Sequence, residues 1–126
     1  MQFVLDKDIS LKVERIVLGL GFSHVKADNV VCFRSFGSKS RAVARIWSLP
    51  KIWQMALNKD PYYCLEVISE KFDRLPDEEK EKVLIHELLH IPKNFSGSLL
   101  SHNHNGRKIN RKVVEVYYQY YLKNRR

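Results

Sequence analysis

The sequence predicts an α+β chain on two observations: apolar, β-branched runs fill its middle, and helical periodicity marks its beginning and its last third. At 126 residues it fits one domain over 1–126, because two domains would each have a marginal core. Asp8-Ile9-Ser10 offers capping side chains to a first helix. On that helix Leu11, Glu14, Arg15 and Leu18 fall on one side, and Val13, Ile16, Val17 and Leu20 on the other. Gly19-Leu20-Gly21 ends it.

Val30 to Phe33 reads as a first strand, and Phe36 to Ser40 as a turn. Ala42 to Trp47 reads as a second strand, with Val43 in its middle. Pro50 can open a short helix through Leu57, since proline is tolerated in a first turn. Asn58 to Pro61 turns the chain into a third strand, Tyr62 to Ser69. Pro76-Asp77-Glu78-Glu79 is a helix start with acids where the dipole favours them. That helix is expected to run to Ile91 and stop before Pro92. A loop from Pro92 to Asn105 precedes a final helix over Arg107 to Lys123, with Val113, Val116, Tyr117, Tyr120 and Tyr121 as its apolar stripe.

Composition is that of an ordinary globular chain, which argues against wholesale disorder. No apolar run reaches membrane-spanning length, and Asp6, Lys7 and Asp8 interrupt the start in a way no signal peptide would. A cytoplasmic location without membrane contact is the expectation. Cys32 and Cys64 are expected to be free thiols within apolar runs. The net charge of +8 is uneven: Arg34 to Lys51 holds five bases and no acid, and Arg107 to Arg126 seven bases and only Glu115. Glu66 to Lys82 holds seven acids against four bases. Either basic region offers a surface to nucleic acid, or serves as a solvated face.

The chemistry concentrates in His86-Glu87-Leu88-Leu89-His90. Residues one helical turn apart face the same way, so two imidazoles at this spacing can hold one metal ion. Glu87 stands on the adjoining edge, within reach of the water such an ion activates, as a general base. Leu84, Leu88 and Ile91, with Ile85 and Leu89 beside them, anchor the opposite side. Zinc is the metal that histidine ligation beside a glutamate favours. A catalytic zinc takes three protein ligands and keeps one open position. The third ligand is expected at His102, with His104 as the alternative and Glu115 as a further rival. His24 has no such context and reads as structural or exposed.

The stretch from Arg41 to His102 resembles a family of archaeal and phage metallopeptidases, and is more distantly similar to the SprT-like minimal zincins. The matching pieces are Ala44 to Pro50, Tyr63 to Ser69, Phe72 to Leu75, Ile85 to Pro92, Phe95 to Gly97 and Ser101-His102. Pro92 and Lys93 stand where the metzincin turn would begin, so that pattern is absent. The resemblance implies a zincin-like arrangement, a small mixed or antiparallel sheet packed against the His86–His90 helix and the C-terminal helix. It favours His102 as third ligand, while His102-Asn103-His104 leaves the choice between the two histidines open. It also implies an edge strand that pairs with an extended peptide, for which Tyr62 to Ser69 is the candidate.

The function expected is zinc-dependent hydrolysis of peptide bonds in a peptide or protein substrate, with Glu87 as base. Tyr117, Tyr118 and Arg45 are candidates for steadying the oxyanion. The alternatives are a nucleic-acid-associated protein, including a protease acting on DNA-linked proteins, and a catalytically silent zinc-binding module. Nothing in the sequence specifies an oligomeric state.

Overall fold

The computed structural model describes residues 1–104 and 107–125, leaving aside the side chains of His104 and Arg107. The elements run β1 (Gln2–Leu5), α1 (Lys7–Leu20), β2 (Val30–Phe36), β3 (Ala44–Ser48), α2 (Lys51–Leu57), β4 (Tyr63–Ile68), α3 (Ser69–Phe72), α4 (Asp77–Leu88), β5 (Asn103–His104), β6 (Arg107–Lys108) and α5 (Arg111–Asn124). The α+β expectation holds, and the sheet is mixed. Its order is β1-β2-β4-β3, with β2 and β4 parallel and both outer pairs antiparallel.

Alternation along the strands sends Val30, Cys32, Tyr63, Leu65, Val67 and Ala44 to one face. There they join Val13, Ile16 and Val17 of α1, Leu84, Ile85 and Leu88 of α4, and Val114, Tyr118 and Tyr121 of α5 in one core. Helix α5 packs on α1 and α4, while α4 also packs beside β3. The one-residue offset in register, Cys32 opposite Leu65 and Cys64 opposite Val31, points the two thiols to opposite faces. Both cysteines are free, Cys32 buried and Cys64 half-buried.

Several boundaries differ from expectation for identifiable reasons. The polar residues interrupting the N-terminus conceal β1, whose residues are all exposed because it is an outer strand. The cap of α1 is Asp6 rather than a residue of Asp8 to Ser10, its carboxylate accepting the Ile9 amide at 3.0 Å. Helix α5 begins four residues late because Arg107–Lys108 pairs with Asn103–His104 as a hairpin, and Asn110 then caps the Val113 amide. Its buried stripe is Val114, Tyr118 and Tyr121, whereas Val116 and Tyr120 of the expected stripe face solvent. Two apolar stripes one residue out of phase both fit a tyrosine-rich helix, and only packing against α1 and α4 selects between them.

The largest correction concerns the strand proposed to meet a peptide. Tyr63–Ile68 lies between β2 and β4's other neighbour β3, so both its hydrogen-bonding sides are used. The edge beside α4 is β3 instead. It is fixed to β4 by the buried Glu66 carboxylate, which accepts two hydrogen bonds from the Arg45 guanidinium at 3.2 Å and one from the Trp47 indole at 2.9 Å.

A second polar junction ties the N-terminal elements together. Arg34 of β2 donates to Asp6 at 2.9 Å and also bonds Asp73, just past α3. Asp6 therefore both caps α1 and holds β2. Asp6→Ala is expected to lower unfolding free energy by about 1–3 kcal/mol, from a lost cap and a lost charged hydrogen bond. Urea denaturation measures this, and an unchanged midpoint would contradict it.

Candidate metal centre

Three imidazoles meet at the end of α4. The run of isoleucines and leucines on its other side keeps that side in the core, which turns His86 and Glu87 toward the gap between α4 and β3. Regular helix stops at Leu88, short of the expected Ile91. Pro92 disfavours helical backbone before it, and the His90 and Ile91 amides close tighter bonds to Glu87 and Leu88 at 3.1 Å. His90 thus sits on a tightened final turn one turn from His86, with ring centroids 5.2 Å apart.

His102 comes back to the pair from the segment ahead of β5. Its ring centroid lies 5.2 Å from that of His86 and 4.7 Å from that of His90. One ligand nitrogen from each of the three lies within 4.8 Å of the others. The Nε2 atoms of His86 and His102 are 3.2 Å apart. Two nitrogens sharing a tetrahedral ion at about 2.0–2.1 Å each would stand roughly 3.3–3.4 Å apart. The donor set therefore fits one metal ion with little adjustment.

The tautomer is set on His90. Its Nδ1 faces the Leu100 carbonyl, which can only accept, so Nδ1 carries the proton and Nε2 keeps a lone pair for the cluster. Burial, then the charges of His90 and His102, pulls the His86 pKa down to about 4. Burial also lowers His90, with the Leu100 hydrogen bond opposing and His102 adding to the shift. Both imidazoles thereby favour the neutral form, the one that can bind a metal.

Glu87 stands apart from the three ligand nitrogens. It is 9 % exposed, and burial pushes its carboxyl up to about 7. A cleft of about 650 Å³ opens beside it, lined by the three histidines, Val43 to Ile46, Val83, Leu99, Leu100, Arg111 and Val114. The rim is bridged by Lys82 of α4 and Glu115 of α5, 2.8 Å apart.

The other sequence candidates fall elsewhere. Glu115 spends its carboxylate on Lys82 and Gln119 and is not a member of the histidine cluster. The backbone of His104 belongs to β5, while its side chain lies outside the described residues. His24 packs beside Phe22 and takes no part. Tyr117 stands edge-on against Phe22, and Tyr118 is buried beneath the Lys82 ammonium, so neither lines the cleft. Arg45 contributes to the wall, but its guanidinium is engaged by Glu66. Of the basic run from Arg34 to Lys51, Arg34 and Arg45 are ion-paired. The role of the Leu100 carbonyl had no sequence signal, because every residue type carries the same group.

The family model described as "Putative phage metallopeptidase" matches residues 1–121. The chain belongs to this family. The match spans the sheet, α1 and the start of α5's last turn, and so reaches well beyond Arg41 to His102. No curated protein and no solved structure matches the chain. For a member of a metallopeptidase family, a three-histidine cluster in a cleft points to a metal-dependent peptidase. No helix among the described residues is long and apolar enough to cross a membrane.

The two shifted groups give opposite pH signatures in the metal-free protein. His86 protonates near 6.5 when unfolded and near 4 when folded, so its contribution is present above 6.5 and lost as pH falls toward 4. Glu87 protonates near 4.5 unfolded and near 7 folded, so its contribution is present below 4.5 and lost as pH rises through 7. Side-chain NMR titration is expected to place His86 well below, and Glu87 well above, its ordinary value. Ordinary values at both would contradict this burial.

Proposed function

We propose that the chain is a zinc-dependent metallopeptidase in which His86, His90 and His102 hold the ion and Glu87 is the general base. The observation that carries this reading is the meeting of three imidazole nitrogens beside a buried carboxylate in an open cleft. Three imidazoles at the mouth of a cleft are a donor set suited to catalytic zinc. When bound, zinc supplies Lewis acidity that polarises the scissile carbonyl and lowers the pKa of water.

The remaining work falls to the chain. Glu87 takes the proton of the attacking water and passes it to the leaving amine. Leu100 holds His90 through its Nδ1 proton. The edge strand β3 offers its outer main-chain groups to an extended peptide, in place of Tyr62 to Ser69, which was expected at an edge and lies inside the sheet. Val43, Val83 and Val114 give an apolar wall for a side chain of that peptide, and Arg111 a cation near its rim. The presence of this cleft favours an enzyme over a silent metal-binding module.

Glu87→Gln should retain about one metal ion per chain while turnover of an unfolded protein substrate falls by about 100-fold or more. Metal analysis beside a fluorescent-casein assay reads both, and full activity in Glu87→Gln would sink the assignment. Chelation should abolish wild-type activity, and zinc should restore it. Activity that survives complete metal removal would exclude a metallopeptidase mechanism.

A further inference from the structure

We propose that Tyr63 is a positioning residue for the third metal ligand, with Gln54 as a second tie on the same loop. The inference rests on reading His86, His90 and His102 as ligands. His86 is placed by α4, and His90 by the tightened turn that ends it. His102 is exposed and follows a segment with no regular structure after Pro92. An untethered loop would lose conformational freedom each time its histidine was bound, at the expense of affinity.

Instead the segment is pinned repeatedly from the protein side. Phe95 is buried and packs edge-on against the Tyr63 ring, with centroids 5.1 Å apart. The Tyr63 hydroxyl accepts the Gly97 amide at 2.9 Å and donates to the Ser98 carbonyl at 2.8 Å. Gln54 of α2 donates from one nitrogen to the Leu49 carbonyl at 2.8 Å and to the Ser96 carbonyl at 3.0 Å. The Leu100 amide then reaches the His90 carbonyl at 2.7 Å, and the Leu100 carbonyl takes the His90 ring proton. Phe95, Ser96, Gly97, Ser98 and Leu100 are thus held in turn, and His102 follows.

The anchor is a rigid one. Tyr63 is 1 % exposed and belongs to the interior strand β4, so its hydroxyl has a fixed place. The close approach also explains Gly97. Its φ is +90°, and a Cβ there would meet the Gln54 nitrogen at 2.1 Å and the Leu49 carbonyl oxygen at 2.7 Å. Tyr63, Gln54 and Gly97 do not line the cleft, so they act through His90 and His102 rather than on a substrate.

The test measures zinc affinity by chelator competition, and cobalt(II) absorption, on metal-free wild type, Tyr63→Phe, Gln54→Ala, Gly97→Ala and His102→Ala. Far-UV circular dichroism and melting of the metal-free chains report folding separately. Tyr63→Phe is expected to weaken zinc binding by about 10- to 100-fold and to shift the cobalt spectrum toward that of His102→Ala, with its dichroism unchanged. Gln54→Ala and Gly97→Ala should move the same two readouts in the same direction, and they decide the matter if Tyr63→Phe fails to fold. Wild-type affinity and spectrum in the folded variants would overturn this proposal alone. A wild-type chain that binds no metal would overturn the ligand reading and this proposal with it.

Discussion

Two histidines on one helical turn hold a metal poorly until a third comes back to them, and that return governs the arrangement around α4. The chain must leave the helix after His90, reverse, and bring His102 to within ligand distance of His86 and His90. Pro92 ends the helical path, and the paired bonds between His90 and Leu100 close the reversal. The same contact decides which nitrogen of His90 faces the cluster. Backbone geometry and ligand chemistry are therefore one problem at this point of the fold.

Burial does the second part of the work. A sheet covered on one face by α1, α4 and α5 places the polar side of α4 against β3 rather than in open solvent. That position lowers the pKa of His86 and His90 and raises the Glu87 carboxyl into the neutral range. A charged glutamate with no partner would be costly there. The Glu66–Arg45–Trp47 cluster fixes β3 to its neighbour, so the cleft has a firm wall on the side opposite the helix.

The histidine cluster was more legible in the sequence than the sheet around it. His86, Glu87 and His90 declare themselves because the motif is local and its spacing is that of one helical turn. His102 followed from the need for a third ligand and from its resemblance to related chains, and the structure brings it to the other two. Strand order was not legible, since β4 looks alike as an edge or an interior strand and only long-range pairing with β2 decides. The short β1 was hidden by the polar residues that interrupt the N-terminus, and β5 and β6, two residues each, are too short to show a strand pattern. The phase of α5 was lost because Tyr117, Tyr118, Tyr120 and Tyr121 give it apolar surface nearly all round. The loop ties of Tyr63 and Gln54 leave no sequence pattern, since they join side chains to carbonyls far away in the chain.

X-ray absorption at the zinc edge of the metal-loaded chain tests the central claim most directly. The account predicts three imidazole nitrogens and one further light atom at about 2.0–2.1 Å, falling to two imidazoles in His102→Ala. A sulfur ligand, or a wild-type first shell with only two imidazoles, would contradict it.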